Sequence, residues 1–432
     1  MSTPTANGTR VAIIAGCRTP FAKASTVYRD LTAVDLARVA VRELVERTEV
    51  EPAWIDTVVM GQVIPSVNAP NLAREVVLGT AMPPGIPAHT VNRACASANQ
   101  AIAEVAEAIL LGHAQVGVAG GAESLSDVPV LHSKRMTQIL MEASRARSLG
   151  DRLRAFAKVR PRDLAPQAPA IAEPSTGLTM GQSAEKMAKE NRITREEQDQ
   201  IAYLSHRKAA AATDEGRLAA EICTVMVPPR YEPAVTQDNL IRRDTSLEAL
   251  AALPPVFDKK YGTVTAGNSS PLTDGAAAVL LMSEARARAE GYEPLAFVKS
   301  WAVAAVDPGG QLLMGPALAI PKALQRAGVR LDDIDLIEMH EAFAAQVASN
   351  IQALESETWG RDKLGRSKPV GKVDRSKLNV NGGSIAIGHP FGATGARVTT
   401  TVANEMKRRD AHLGLVSVCA QGGLGFAMVL ER

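Results

Sequence analysis

The stretch from Thr90 to Ile109 reads TVNRACASANQAIAEVAEAI and leads to VGVAGG from Val116, and the same order returns near the other end of the chain. There, Asn379 to Val402 reads NVNGGSIAIGHPFGATGARVTTTV and leads to LVSVCAQGG from Leu415. Each copy is a small-residue turn, then a helix-period segment, then a short apolar run of strand type. Ile102, Val105, Ala106, Ile109 and Leu110 recur at helical spacing, and Gly112 stands where such a helix stops. Upstream the parallel continues, because one predicted helix leads to WIDTVVMGQV from Trp54 and another to DIDLIEMHEA from Asp333. Such self-similarity predicts a duplicated structural unit, and alternating strands and helices predict an α/β fold. Val11 to Ala15 and Thr57 to Val63 read as strands, and Leu31 to Arg47 as an amphipathic helix.

At 432 residues the chain exceeds one ordinary core, so two or more packed units are expected. Lys and Arg number 48 against 46 Asp and Glu, a net charge of +2 that favours neither nucleic acid nor an acidic partner. The four cysteines, Cys17, Cys95, Cys223 and Cys419, lack metal-ligand spacing and are too sparse for a disulfide framework. That usage predicts a reducing, cytoplasmic setting. No apolar run reaches the roughly 18 residues of a membrane span, and Met1 to Thr9 has no signal-peptide core, so a soluble protein is expected. Composition shifts after Ser126 to helical, basic and Pro-bearing stretches before the α/β pattern resumes near Thr263. The expected organisation is an N-terminal half (1–125 and 263–283), an insertion (126–262) and a C-terminal half (284–432).

Four junctions carry chemistry. Cys95 opens a predicted helix, where unpaired N–H groups and the dipole favour an anion. Cysteines so placed fall from a free pKa of about 8.5 to roughly 3.5–7.5, and the small neighbours Ala94, Ala96, Ser97 and Ala98 leave room for a carbonyl. His389 lies among Gly382, Gly383, Gly388 and Gly392, with Pro390 suited to the first turn of the next helix. A histidine at a helix start is biased toward the neutral form that a general base needs. Cys419 ends the apolar run GLVSV before a Gly-rich turn, and strand ends are where α/β sheets present their sites. His340 follows the strand IDLIEM, with Glu341 read as a dipole-compensating acid of the next helix's first turn and Phe343 as core. Taken singly, each has a bland reading as a packing or turn residue.

Together, in this order and spacing, they resemble the thiolase superfamily over nearly the whole chain. NRACASANQA is similar to its nucleophile motif, GGSIAIGHPFGATGAR to its base motif, CAQGGLG to its second-cysteine motif, and TVTAGNSSPLTDGAA to its pantetheine-side segment. HEAF from His340 and the stretch from Asp127 to Lys158 resemble most the thiolase β subunit of fatty-acid β-oxidation trifunctional enzymes. The resemblance implies two duplicated halves in a five-layered αβαβα core with an inserted loop domain. It implies 3-ketoacyl-CoA thiolysis through an acyl-Cys95 intermediate, with His389 as base and Cys419 as acid at the α-carbon. One oxyanion hole falls to the N–H groups of Cys95 and Gln421, the other to His389 with a water held by His340. Gln421 departs from a common glycine, so its local φ must suit a side chain. Met180, Ala266, Ser270 and Phe343 are implied along CoA, which is a substrate, with no cofactor and no metal.

Acetoacetyl-CoA thiolase, a catalytically silent CoA-binding scaffold and a ketoacyl synthase are the rival readings. The synthase pairs its cysteine with two histidines, whereas Cys419 here favours a thiolase. Partners implied are a homodimer or dimer of dimers and a hydratase/dehydrogenase α subunit, with no nucleic acid. Lys134 to Arg162 carries nine basic residues against two acidic ones, with Met136, Ile139 and Leu140 on one helical face and Leu149, Leu153 and Phe156 on another. This stretch is expected to be an exposed docking surface for an anionic membrane or the partner subunit.

Overall fold

The computed structural model describes residues 8–166 and 172–432. Its strands are β1 (Val11–Arg18), β2 (Ala22–Lys23), β3 (Thr57–Gly61), β4 (Ala88–Val91), β5 (Val116–Glu123), β6 (Thr273–Ser283), β7 (Ala296–Ala305), β8 (Leu336–Met339), β9 (Leu413–Ala420) and β10 (Leu424–Glu431). They lie in the order β4-β3-β5-β6-β1-β7-β10-β9-β8, with β2 beside β6. Outward from the β1–β7 join the two sides repeat each other. On one side, β1–β6 and β6–β5 are antiparallel and β5–β3 parallel; on the other, β7–β10 and β10–β9 are antiparallel and β9–β8 parallel. Even β4, parallel to β3, has a remnant counterpart in the parallel bridge of Leu378 to Ile337 beside β8.

The helices in chain order are α1 (Ala33–Thr48), α2 (Leu72–Leu78), α3 (Ser97–Leu110), α4 (Lys134–Arg145), α5 (Leu149–Phe156), α6 (Met180–Asn191) and α7 (Arg195–Asp214). They continue as α8 (Leu247–Ala251), α9 (Glu284–Ala289), α10 (Gly315–Ala327), α11 (Ala344–Glu355), α12 (Glu357–Leu364), α13 (Ser384–Ile387) and α14 (Thr394–Arg409). Their apolar stripes make five layers. α1 and α2 cover the outer face of the N-terminal strands, and α10 and α11 help cover that of the C-terminal strands. α3 and α14 pack on each other between the two sheet halves, sharing one core with their inner faces. Every residue of β5, β6 and β9 is buried, which is why these strands read as continuous apolar runs rather than alternating ones.

The central helix pair depends on close backbone approach. A Cβ on Gly395 of α14 would sit 2.4 Å from the backbone nitrogen of Asn99 on α3. In its absence, Asn99 Nδ2 donates to the Gly395 carbonyl at 3.2 Å. Local chemistry sets several element ends differently from the sequence expectation. β1 continues to Arg18 because β6 pairs with it that far. The first helix starts at Ala33 under a Thr32–Asp35 capping box. β3 stops at Gly61 because the N–H groups of Val63 and Ile64 are taken by the Glu123 carboxylate. Gly112, at φ +74°, does terminate α3.

Candidate active site

Cys95 precedes α3 by two residues rather than opening it. Ala94 before it holds φ +45°, a left-handed conformation uncommon for a residue with a side chain. Two polar neighbours brace that turn. Asn92 Oδ1 accepts from Ala94 N at 2.9 Å, and Ser97 Oγ accepts from Arg93 N at 2.9 Å while donating to the Ala94 carbonyl at 2.6 Å. The turn aims the thiol across the central helix pair, where Cys95 Sγ lies 3.2 Å from His389 Nε2.

His389 stands between α13 and α14. Gly388, at φ +110°, turns the chain into it, and its own N–H donates to Thr273 Oγ1 at 3.0 Å. α14 begins at Thr394, later than Pro390, because the Pro390 carbonyl first accepts from the N–H groups of Ala393 and Thr394. His389 Nδ1 meets Thr394 Oγ1 at 2.6 Å, and the Thr394 hydroxyl donates to the Pro390 carbonyl at 3.0 Å. Its proton is thereby spent, so Thr394 accepts from Nδ1–H and leaves Nε2 bare toward the thiol, the tautomer of a base. Burial, aided by the positive Arg397, pushes His389 down to about 3.

Burial also pushes the Cys95 thiol up, to about 12, against the opposing pull of the N–H groups of Gln421 and of Cys95 itself. The expectation of a thiol acidified by its helix start is therefore reversed in the resting site. The N–H groups of Gln421, in the turn after β9, and of Cys95 do pull the thiol down, but desolvation of the thiolate outweighs them. Thiol and imidazole rest as a neutral hydrogen-bonded pair.

Cys419, one residue from the end of β9, is buried and held well above its ordinary value by burial and by the nearby Cys95 sulfur. It rests as a thiol able to give up a proton. Gln421 is absent from the positive-φ residues, while Gly422 and Gly423 after it adopt +84° and +73°. The turn places its strain on glycines, so the glutamine is accommodated. Gln421 Nε2 donates to the Ala172 carbonyl at 2.9 Å, and Gly422 N donates to Glu173 Oε2 at 3.0 Å.

The ring of His340 lies 4.1 Å from that of His389, centre to centre. Its Nδ1 meets Ser384 Oγ at 2.8 Å, and its buried Nε2 has no partner among the described residues. Burial, His389 and Arg397 all hold it well below the ordinary imidazole range. The donor atoms of Cys95, His340 and His389 lie within 4.8 Å of one another, the one group of His, Cys, Asp or Glu among the described residues compact enough for a metal ion.

Glu341 does not serve as a first-turn acid, since α11 begins only at Ala344. Its buried carboxylate accepts from Ser205 Oγ, Asn379 Nδ2 and Ile385 N, tying the HEAF segment to α7 and to the loop that carries His389. Glu123, which sequence reasoning missed, has a similar role. Its buried carboxylate, raised to about 7 chiefly by burial, accepts at 3.0 Å from each of the N–H groups of Val63, Ile64 and Gly392. It locks the His389 loop to the N-terminal half. Only its position at the end of a repeated strand hinted at this.

A cleft of about 670 Å³ is lined by Ala266 and Ser270, together with Leu240, Arg242, Phe257 and Ile385. Met180 and Phe343 do not line it. They pack with Phe257 on one apolar cluster, where its ring meets that of Phe343 edge-on at 6.1 Å. Leu240 to Arg242 carried no sequence signal, because a cleft wall built from a loop has no periodicity.

Comparison with known proteins gives the family. The profile described as "Thiolase, N-terminal domain" matches residues 11–285, and that described as "Thiolase, C-terminal domain" matches residues 292–432. The chain belongs to the thiolase family. As a thiolase it is an acyltransferase with the thiolase fold. It is 52% identical over 427 residues to the 3-ketoacyl-CoA thiolase of Serratia proteamaculans (strain 568), covering 99% of this chain and 98% of that protein. Identity to the 3-ketoacyl-CoA thiolase of Escherichia fergusonii is 51% over the same shares of each chain. Among solved structures, Bacillus anthracis acetyl-CoA acetyltransferase superposes with a TM-score of 0.84 at 34% identity, covering 98% of both chains. Human mitochondrial 3-ketoacyl-CoA thiolase gives 0.82 at 33%, covering 98% of this thiolase and 99% of that chain.

Proposed function

We propose that this thiolase cleaves 3-ketoacyl-CoA with free CoA, giving acetyl-CoA and an acyl-CoA two carbons shorter, the reaction of fatty-acid β-oxidation. The observation that carries the reading is the 3.2 Å contact of the Cys95 thiol with a bare His389 Nε2, with the Cys419 thiol alongside. His389 takes the Cys95 proton as the sulfur attacks the keto carbon. The bond between the α- and β-carbons then breaks, and its electron pair leaves as the enolate of acetyl-CoA, which Cys419 protonates. The proton held on His389 resets the Cys419 thiolate. In the second half, CoA gives its thiol proton to His389 and attacks the acyl thioester, and Cys95 leaves and recovers that proton. The N–H groups of Cys95 and Gln421 serve one oxyanion, and His389 with His340 the other. Removing one such donor typically costs about 2.7–4 kcal/mol of barrier. CoA lies along Ala266 and Ser270, with Met180 and Phe343 supporting that wall. No metal or redox cofactor takes part. Steady-state kinetics over 3-ketoacyl-CoA of graded chain length, with mass detection of acyl-Cys95, test the reading. The likeness to an acetyl-CoA acetyltransferase makes acetoacetyl-CoA the substrate to include, and a preference confined to it would replace the β-oxidation reading.

We further infer a cytoplasmic enzyme with residues 126–262 as an inserted unit, assembled as a dimer or dimer of dimers. No helix among the described residues is long and apolar enough to cross a membrane. On α4, Met136 and Ile139 are buried, whereas Leu149, Leu153 and Phe156 on α5 are 73%, 62% and 42% exposed beside exposed Arg145, Arg147, Arg152 and Arg154. An apolar ridge among cations suits an anionic membrane surface, where each engaged charge contributes about 1 kcal/mol. Reversing those four arginines is expected to abolish salt-sensitive sedimentation with anionic liposomes and to leave short-chain turnover unchanged. Retained sedimentation would overturn membrane docking. Capture of a hydratase/dehydrogenase subunit, lost on charge reversal, would assign the ridge to that partner instead.

A further inference from the structure

The two site histidines are held by hydroxyls wired in opposite senses. Thr394 spends its proton on the Pro390 carbonyl and so can only accept from His389. Ser384, buried on α13, faces His340 Nδ1 at 2.8 Å on one side and Arg397 Nη2 at 2.7 Å on the other. A guanidinium only donates, so the Arg397 contact occupies a lone pair of Ser384 Oγ and leaves its proton to be placed. Among the described residues no carbonyl or carboxylate accepts that proton, and His340 Nδ1 is the acceptor in reach. The imidazole must then carry its own proton on Nε2. That atom is buried and has no partner among the described residues, on a ring whose centre lies 4.1 Å from that of His389 and which has a nitrogen within 4.8 Å of Cys95 Sγ.

The opposite assignment is worse on two counts. It makes Ser384 a double acceptor with a buried proton left over, and it aims a bare nitrogen lone pair at the place where an oxyanion forms. Arg397 is itself anchored. It is fully buried and ion-paired with Glu338, which lies on β8 two residues before His340 and so on the same side of the chain. α14 therefore orients both imidazoles, through Thr394 directly and, three residues on, through Arg397 and Ser384.

We propose that Ser384 and Arg397 are positioning residues that fix His340 as the Nε2–H tautomer, the form able to donate a hydrogen bond to the substrate oxyanion. The proposal rests on the reading of His340 as an oxyanion donor. It divides the labour between the histidines by tautomer, one base and one donor, although both are neutral and buried.

The test uses full-length enzyme labelled with [15N]histidine, with the His340 signals assigned by their loss in H340N. In the unsubstituted enzyme His340 is expected to show an unprotonated Nδ1 and a protonated Nε2. S384A should shift those signals toward a mixture of tautomers and lower kcat roughly tenfold with KM for CoA unchanged, the scale usual for a partner that orients a site group. S384T, which keeps the hydroxyl, should restore both. A protonated Nδ1 in the unsubstituted enzyme overturns the proposal without any substitution. So does a folded S384A with parental signals and kcat, or a folded S384T that behaves as S384A. H340N with parental kcat would instead remove the donor role on which the proposal rests, whatever the tautomer.

Discussion

The two halves of the molecule put different chemistry at the same topological place. In the N-terminal half the chain leaves a turn at Cys95 and enters α3; in the C-terminal half it leaves a turn at His389 and enters α14. Because α3 and α14 form the middle layer, packed at Gly395 and Asn99, the two turns meet, and a thiol faces an imidazole at 3.2 Å. The strands repeat the contrast. β5 ends in Glu123, whose carboxylate only holds backbone, whereas β9 ends beside Cys419, a thiol facing the site. A duplicated fold thus supplies two equivalent positions, and divergence of one side chain in each makes them complementary. Burial then acts on both in opposite directions, raising the thiol and lowering the imidazole, so that each is neutral until substrate arrives.

Removing the N-terminal half's contribution is expected to have the largest effect. Cys95→Ala should lower thiolysis on the order of 10⁴-fold or more, since no other group can carry the acyl intermediate. Steady-state rates and loss of the acyl adduct in intact-mass spectra check this, and an adduct on another residue would break the assignment of the nucleophile. Cys419→Ala should cost about 10²–10⁴-fold in turnover. It should also abolish exchange of the acetyl-CoA α-protons with solvent, read by NMR, while acyl transfer to Cys95 persists. Parental exchange in that variant would reduce Cys419 to a packing residue like its neighbours on β9.

The neutral resting pair is tested by alkylation. Iodoacetamide labelling of Cys95, mapped by mass spectrometry, should be blocked by substrate and should climb by roughly tenfold per pH unit beyond pH 8, as expected for a thiol whose pKa lies well above the assay range. A plateau below pH 8 would show a thiolate–imidazolium pair. The smallest effect is on stability. His389 is held at about 3, below the ~6.5 of an unfolded imidazole, so between those values the unfolded chain binds the extra proton. Its contribution is full above about pH 6.5 and is lost as pH falls. Buried Glu123 and Glu338, raised to about 7 and about 8, carry the opposite sign, so the histidine contribution is read as a difference. Relative to H389N, the parent's melting temperature should fall by a few degrees between pH 7 and pH 5. Parallel curves would mean that His389 is not buried neutral.

Much of this was legible along the chain. Repeated turn, helix and strand patterns announced duplication, because periodicity is a local property that sequence records directly. The motif residues Cys95, His340, His389 and Cys419 were named for the same reason, each standing at a strand or helix end that local signals mark. Glu341 was misread, because its position near a helix start gave no sign that Ser205 and Asn379, from distant segments, would surround it. The identities of the reactive side chains were thus determined by the sequence itself. Their protonation states were decided only by the tertiary structure, which strips water from Cys95 and His389 and wires the histidines to Thr394 and Ser384. A pKa and a tautomer depend on the groups that replace solvent around an atom, and the fold brings those groups from as near as Thr394, five residues from His389, and from as far as Cys95, 294 residues from it.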